Sequence, residues 1–327
     1  MSALIRFLVI FVFFSSLSAS ESIAADKVNF RLDWTIYGTH APFFLALDKG
    51  MYADAGLEVR IEDGQGSGTS VKLVAQGNDD LGFIDFTSTI RGVEQGMPVV
   101  ALMRILSNSL CIISSASDPV KSPKELEGKI IAYAPSESSA QMFPALLNSQ
   151  DVDIRKISVV NPAFGAKLAL FLQKRADAIT GAVTQQIAQI EEQGQEVFAF
   201  KYSDFGVRLM NNGIVANKAF VDKNPDVVKR FLKVTRDAFL AAKENPEEAL
   251  NALIRIRPQE ARNRSVLRKQ WERSLEVFET INTKGKHFGY MDDRDWQETI
   301  KLLMDYGGLP RAVPLGQLYT NAFLPDK

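Results

Sequence analysis

The residues best equipped for chemistry fall in three short polar stretches. The first is Asp33-Trp34-Thr35-Ile36-Tyr37-Gly38-Thr39-His40. Trp34 and Tyr37 offer flat apolar faces with a polar edge, and His40 can donate or accept a hydrogen bond. Such groups suit a planar ring. The competing reading is a core tryptophan with a structural histidine at a helix start. The second stretch is Gly64-Gln65-Gly66-Ser67-Gly68-Thr69-Ser70. Here Gly66, Ser67, Gly68, Thr69 and Ser70 form a candidate small-ligand loop, or a plain flexible turn. The nucleotide motifs fail: Thr69 is not preceded by the lysine of a P-loop, and the glycine spacing is one residue short of the dinucleotide fingerprint. Asp85 stands near the distance expected of a ribose-binding acid and joins the candidate site. The third stretch is Tyr133-Ala134-Pro135-Ser136-Glu137-Ser138-Ser139. Tyr133 can stack on a ligand while Ser136 and Ser138 donate hydrogen bonds; the alternative is a serine helix cap with Tyr133 in the core. Asn161, Asn211 and Asn212 are secondary candidates.

Catalytic patterns are missing. The sequence holds no G-x-S-x-G elbow and no H-E-x-x-H pair. His40 and His287 are the only histidines, so a histidine metal centre is not expected. Cys111, the single cysteine, lies in the apolar run Leu110-Cys111-Ile112-Ile113 and reads as buried filler. The 38 basic and 39 acidic residues nearly cancel, which argues against a nucleic-acid partner. No catalytic residue, metal or cofactor is expected, and the partner is a small molecule.

Alternating strands and helices must position these stretches. Val28–Leu32, Leu57–Ile61 and Leu81–Ile84 read as strands, with helices over 42–51, 71–76 and 90–95. The polar stretch near 114–123 opens a second unit. It has strands at 129–133, 157–160 and 177–180, and helices at 139–148, 166–174 and 184–192. Gly213–Ala216 reads as a strand returning to the first unit. Helices follow after Pro225, at 246–256, 261–280 and 293–306. This pattern predicts an α/β fold of two lobes, each a mostly parallel sheet flanked by helices, with a ligand cleft at the strand ends. The expected boundaries are 27–115 for the first part of lobe one, 116–210 for lobe two, and 211–327 for the return strand and C-terminal helices.

The N-terminus reads as a secretory signal peptide over residues 1–24. Arg6 precedes the apolar run Phe7–Phe14, then come small residues, with Ser22-Ile23-Ala24 as the cleavage site. The run is too short to span a bilayer comfortably. The mature chain is therefore expected in the periplasm.

Over residues 27–260 the chain resembles the periplasmic binding proteins related to the yeast thiamine-pyrimidine synthase and to the sulfonate and taurine binding proteins. The matching pieces include Leu32-Asp33-Trp34 with His40 six residues on, Ala46 to Tyr52, Gly56 to Val59, Leu81-Gly82-Phe83, Gly96 to Ala101, Ser122 to Lys129, and Ala176-Asp177-Ala178. The resemblance implies a type II two-lobed fold that closes on its ligand and docks on the permease of an ABC importer as a monomer. It implies that Trp34 and His40 contact a heteroaromatic ring, a thiamine-pyrimidine precursor or riboflavin, with hydrogen bonds from the other two stretches. Sulfonate, taurine or aromatic carboxylate import, or a sensor role, are the alternatives. Two departures stand out. Ile36-Tyr37 replaces the Pro-Asn of pyrimidine binders, and Ala182 to Gln186 lacks their aromatics and glutamate, which costs an aminopyrimidine a charge-assisted partner. The yeast enzyme's cysteine-rich motif is absent, which implies binding rather than catalysis.

Overall fold

The computed structural model describes residues 24–325 except 136 and 164. The signal-peptide reading therefore falls almost wholly outside the described residues. Ten strands form two five-stranded sheets: β1 (Asp26–Arg31), β2 (Leu57–Glu62), β3 (Leu81–Asp85), β4 (Val99–Arg104), β5 (Leu110–Ser115), β6 (Ile130–Ala132), β7 (Ser158–Val160), β8 (Ala178–Ala182), β9 (Val197–Lys201) and β10 (Asn212–Asn217). The first sheet has the order β2-β1-β3-β10-β4 and the second β7-β6-β8-β5-β9.

The sheets are mostly parallel, as expected, and mixed by one reversed strand each. In each, four strands run the same way and one, β10 or β5, lies antiparallel to both its neighbours. The cause is the path of the chain. Both β5 and β10 follow directly on a crossing from the other lobe. They enter their sheets from the cleft side, where the parallel strands end, and so must run the opposite way. This also moves the expected lobe boundary. β5 pairs with β8 and β9 in the second sheet, so the chain changes lobes at 105–109, before residue 115.

Burial follows the strand positions. β2 alternates, with Leu57, Val59 and Ile61 inside, whereas β4 and β10 are buried along their whole length. Gly213 on β10 has no room for a side chain, since a Cβ would lie 2.1 Å from the Met103 carbonyl. The C-terminal helices Pro225–Glu244 and Pro246–Ile256 begin at prolines, which suit a first turn. The expected helix over 261–280 is shorter, Arg264–Leu275, preceded by a 3-10 turn.

That helix touches both lobes. Gln270 accepts from Gly38 N–H at 2.9 Å and donates to the Gln185 carbonyl at 2.9 Å. Arg273 reaches Glu191 at 2.7 Å. Gly38 is required there, because a Cβ would stand 2.1 Å from the Leu267 carbonyl. Among the described residues, no helix is long and apolar enough to cross a membrane.

Candidate functional site: the cleft between the two sheets

The two crossing segments, 105–109 and 206–211, run side by side, joined by the antiparallel bridge of Ser107 and Met210. Above them the strand ends of both sheets face a narrow cleft, a cavity of about 40 Å³. Lobe one contributes Asp33, Trp34, Gly66, Ser67 and Asn212; lobe two contributes Glu137, Ser138, Ser139, Lys167, Thr184 and Gln186.

The floor is organised by Asp33. Its carboxylate accepts from His40 Nε2 at 2.9 Å, Asn212 Nδ2 at 2.9 Å and the Tyr37 hydroxyl at 3.2 Å. His40 Nδ1 accepts from Tyr37 N–H at 3.4 Å, so the imidazole proton sits on Nε2, facing Asp33. The loop carrying Gly64 and Gly66 is laid against this segment: Gly64 N–H donates to the Trp34 carbonyl and Gly66 N–H to that of Asp33. Gly66 has φ +106°, a backbone state open to glycine. Ser67 then starts the helix Ser67–Ala75, and its hydroxyl accepts from Asp85 N–H at 2.9 Å.

The opposite wall holds a buried ion pair. Lys167 Nζ bonds Glu137 Oε2 and donates to the Thr180 carbonyl at 2.8 Å. Ser139 Oγ lies 3.1 Å from Thr180 Oγ1 and 3.4 Å from Glu137 Oε2, its single proton shared between them. Burial pushes the Glu137 carboxyl up, opposed by the adjacent Lys167 ammonium. Thr184 Oγ1 is buried and has no hydrogen-bond partner among the described residues.

Of the residues singled out in the sequence, Trp34, Gly66, Ser67, Ser138 and the secondary candidate Asn212 line the cleft. Trp34 is half-buried, Ser138 likewise. Tyr37 and His40 lie beneath the floor, 1% and 0% exposed, with rings 4.0 Å apart. They cannot stack on a ligand; they hold Asp33 instead. Burial, with Asp33 beside it, keeps the Tyr37 hydroxyl well above its ordinary range. Asp85 is also fully buried, which raises its carboxyl, and caps its helix by accepting from Thr87 N–H at 2.8 Å. Asn211 ties Asp85 to the crossing, donating to it at 3.2 Å while its Oδ1 accepts from Ser109 N–H at 2.7 Å. Ser70 donates to the Leu32 carbonyl, a structural bond. Gly68 and Thr69 face a separate groove beside Ser88 and Gln141. Tyr133 packs on Phe143, and Asn161 is exposed beyond β7, away from the cleft lining. Ser136 lies outside the described residues.

Sequence reasoning missed Asp33, Glu137, Lys167, Thr184 and Gln186 as individual site residues. Asp33 and Glu137 sat inside flagged stretches. Lys167 opens an apolar helix and gave no signal. Among the described residues, no group of three or more His, Cys, Asp or Glu could hold a metal ion. Cys111 is buried, its thiol pushed up to about 12 by burial.

Two lobes of similar sheet order, two crossings and a polar cleft at the strand ends define a periplasmic-binding-protein fold. The chain belongs to the NMT1/THI5 like family, whose sequence model matches residues 38–249. It is 23% identical over 300 residues to the formylaminopyrimidine-binding protein of Halalkalibacterium halodurans, covering 90% of each chain. It is 24% identical to a 4-amino-5-hydroxymethyl-2-methylpyrimidine phosphate synthase of Saccharomyces cerevisiae, covering 92% of this chain and 89% of that one. In fold it resembles the alkanesulfonate-binding protein SsuA of Xanthomonas axonopodis bound to MOPS. The TM-score is 0.71 at 12% identity, over 91% of this chain and 99% of that one.

Proposed function

We propose that the chain is the extracytoplasmic solute-binding component of an ABC importer, exported by the signal peptide at residues 1–24, and that its lobes close on a neutral nitrogen heteroaromatic molecule. The observation that carries this reading is the composition of the cleft. Trp34 offers a ring at its edge, and the charged groups in its lining are two carboxylates against one ammonium. That ammonium is already bound to Glu137. A sulfonate or carboxylate ligand would enter next to Asp33 and Glu137 with no unshared cation to receive it. A neutral ring with N–H and N acceptor positions meets no such opposition. The pyrimidine-binding relative supports the same class.

The way the titratable groups are used supports binding rather than turnover. His40 is buried with both ring nitrogens occupied, and Asp33 already accepts three hydrogen bonds. Neither is poised to move a proton. The crossing pair, with the bridging helix Arg264–Leu275, supplies a hinge of the kind that closes around ligands.

The test is the thermal stability of the mature protein against aminopyrimidines, flavins, aliphatic sulfonates and aromatic carboxylates. A ligand at about 100 times its Kd adds about 2.7 kcal/mol, several degrees of melting shift. A shift with heteroaromatic ligands that Trp34→Ala removes is expected. A shift with sulfonates alone would overturn the ligand class, and turnover of a bound pyrimidine would overturn the binding role.

A further inference from the structure

The cleft holds two carboxylates in different states of use. Asp33 takes three donors across its two oxygens. Glu137 takes Lys167 and Ser139, both on Oε2, and among the described residues Oε1 accepts nothing. Glu137 is 7% exposed and lines the cleft, so a donor placed in the cleft is what Oε1 can meet. Lys167 is similarly part-used. An ammonium has three N–H groups; two go to Glu137 Oε2 and the Thr180 carbonyl, and Lys167 lines the cleft with the third unassigned among the described residues.

Resting on the heteroaromatic reading above, we propose that Glu137 and Lys167 together read the edge of an amino-substituted aza-aromatic ring. Glu137 Oε1 accepts from the exocyclic amine and Lys167 donates to the adjacent ring nitrogen. The pair presents one acceptor beside one donor, and an H–N–C=N edge presents the complement. Within the pair the charges cancel, so a neutral edge meets no net opposition from it. Segment 182–186 holds no carboxylate. The charge-assisted partner for an amine comes from position 137 instead, out of the polar loop before the helix Ser138–Gln141. Thr184, buried at the same cleft with Oγ1 unpartnered, is placed to take a further polar atom of the ring.

The experiment is titration calorimetry with 4-amino-5-hydroxymethyl-2-methylpyrimidine and with the same ring lacking the amino group. The proteins are the wild type, Glu137→Gln, and the double variant Glu137→Gln/Lys167→Met. The double variant guards against misfolding, since Glu137→Gln alone leaves a buried ammonium without its counter-charge. Wild type is expected to prefer the amino compound about 10- to 100-fold, as a hydrogen bond to a charged group allows. In both variants that preference should shrink to within about threefold. Undiminished preference in a folded variant overturns the assignment of Glu137. So does a wild type that binds other heteroaromatics but neither pyrimidine, or both pyrimidines equally; in these cases the heteroaromatic reading stands. Binding of no heteroaromatic compound at all brings down that reading and this inference together.

Discussion

Replacing Asp33 by Asn tests whether the cleft floor is held by one charged acceptor. Three donors converge on the carboxylate: His40 Nε2 and Asn212 Nδ2, each at 2.9 Å, and the Tyr37 hydroxyl at 3.2 Å. An amide has one accepting oxygen and an NH2 that only donates. Turned one way, its NH2 opposes His40 Nε2–H; turned the other, it opposes Tyr37 and Asn212. Moving the imidazole proton to Nδ1 transfers the conflict to Tyr37 N–H, which points at that atom. One buried donor is therefore orphaned in every arrangement, at about 1–3 kcal/mol, and each bond that survives falls from a charged to a neutral acceptor, about 1 kcal/mol. Loss of the carboxylate's desolvation cost offsets part of this. The net expectation is about 2–4 kcal/mol, a fall of about 4–8 °C in Tm at roughly 2 °C per kcal/mol for a chain of this size. Urea unfolding of ligand-free protein measures it, with Tyr37→Phe as the companion losing one bond and about 1 kcal/mol. A Asp33→Asn variant within about 0.5 kcal/mol of wild type would refute the hub.

Three further outcomes follow from the same geometry. Thr184→Val removes a buried hydroxyl that has no partner, so ligand-free stability should hold or rise by up to about 1 kcal/mol in urea, while affinity for a polar ligand falls. Cys111, its thiol raised to about 12, should resist iodoacetamide at pH 8 in the folded protein and react once it is unfolded in urea, read by mass spectrometry. Glu137 has its carboxyl raised from 4.5, so the folded state holds its proton more tightly than the unfolded chain does. Stability should then fall as pH rises upward from about 4.5, and Glu137→Gln should flatten that slope, measured by urea midpoints across pH 4–7.

The elements that sequence revealed are those set by local rules. The helix Pro246–Ile256 was legible to the residue, because Pro246 starts it, Asn245 caps it and the apolar spacing runs unbroken. β2 was legible because it alternates. β4 and β9 were not read as strands: β4, Val99–Arg104, is buried on both faces and shows no period. The helix expected over 139–148 is interrupted at Met142, as Ser138–Gln141 and Phe143–Ser149, because Pro144 has no N–H to continue the ladder and sits instead in the first turn of the second helix. Strand direction was equally hidden. β5 and β10 look like any apolar strand, and only the crossing of the chain makes them antiparallel.

The site divides along the same line. Stretches that end a strand and begin a helix were recognisable, and Trp34, Gly66, Ser67 and Ser138 came from them. Which member of a stretch faces the cleft depends on partners far away in sequence. Tyr37 and His40 turn inward because Asp33 needs donors and because Gly38 seats their turn against the helix Arg264–Leu275, more than two hundred residues later. Glu137 gains its role from Lys167, thirty residues on, the first residue of a helix that otherwise reads as core. The outcome has a physical logic. A cleft that must admit a ligand and exclude others is better served by polar groups already fixed by one another than by free ones, since little remains to be ordered when the ligand arrives. Asp33 has donors on both of its oxygens and serves as a support, whereas Glu137 keeps an unused oxygen and is the carboxylate left to discriminate.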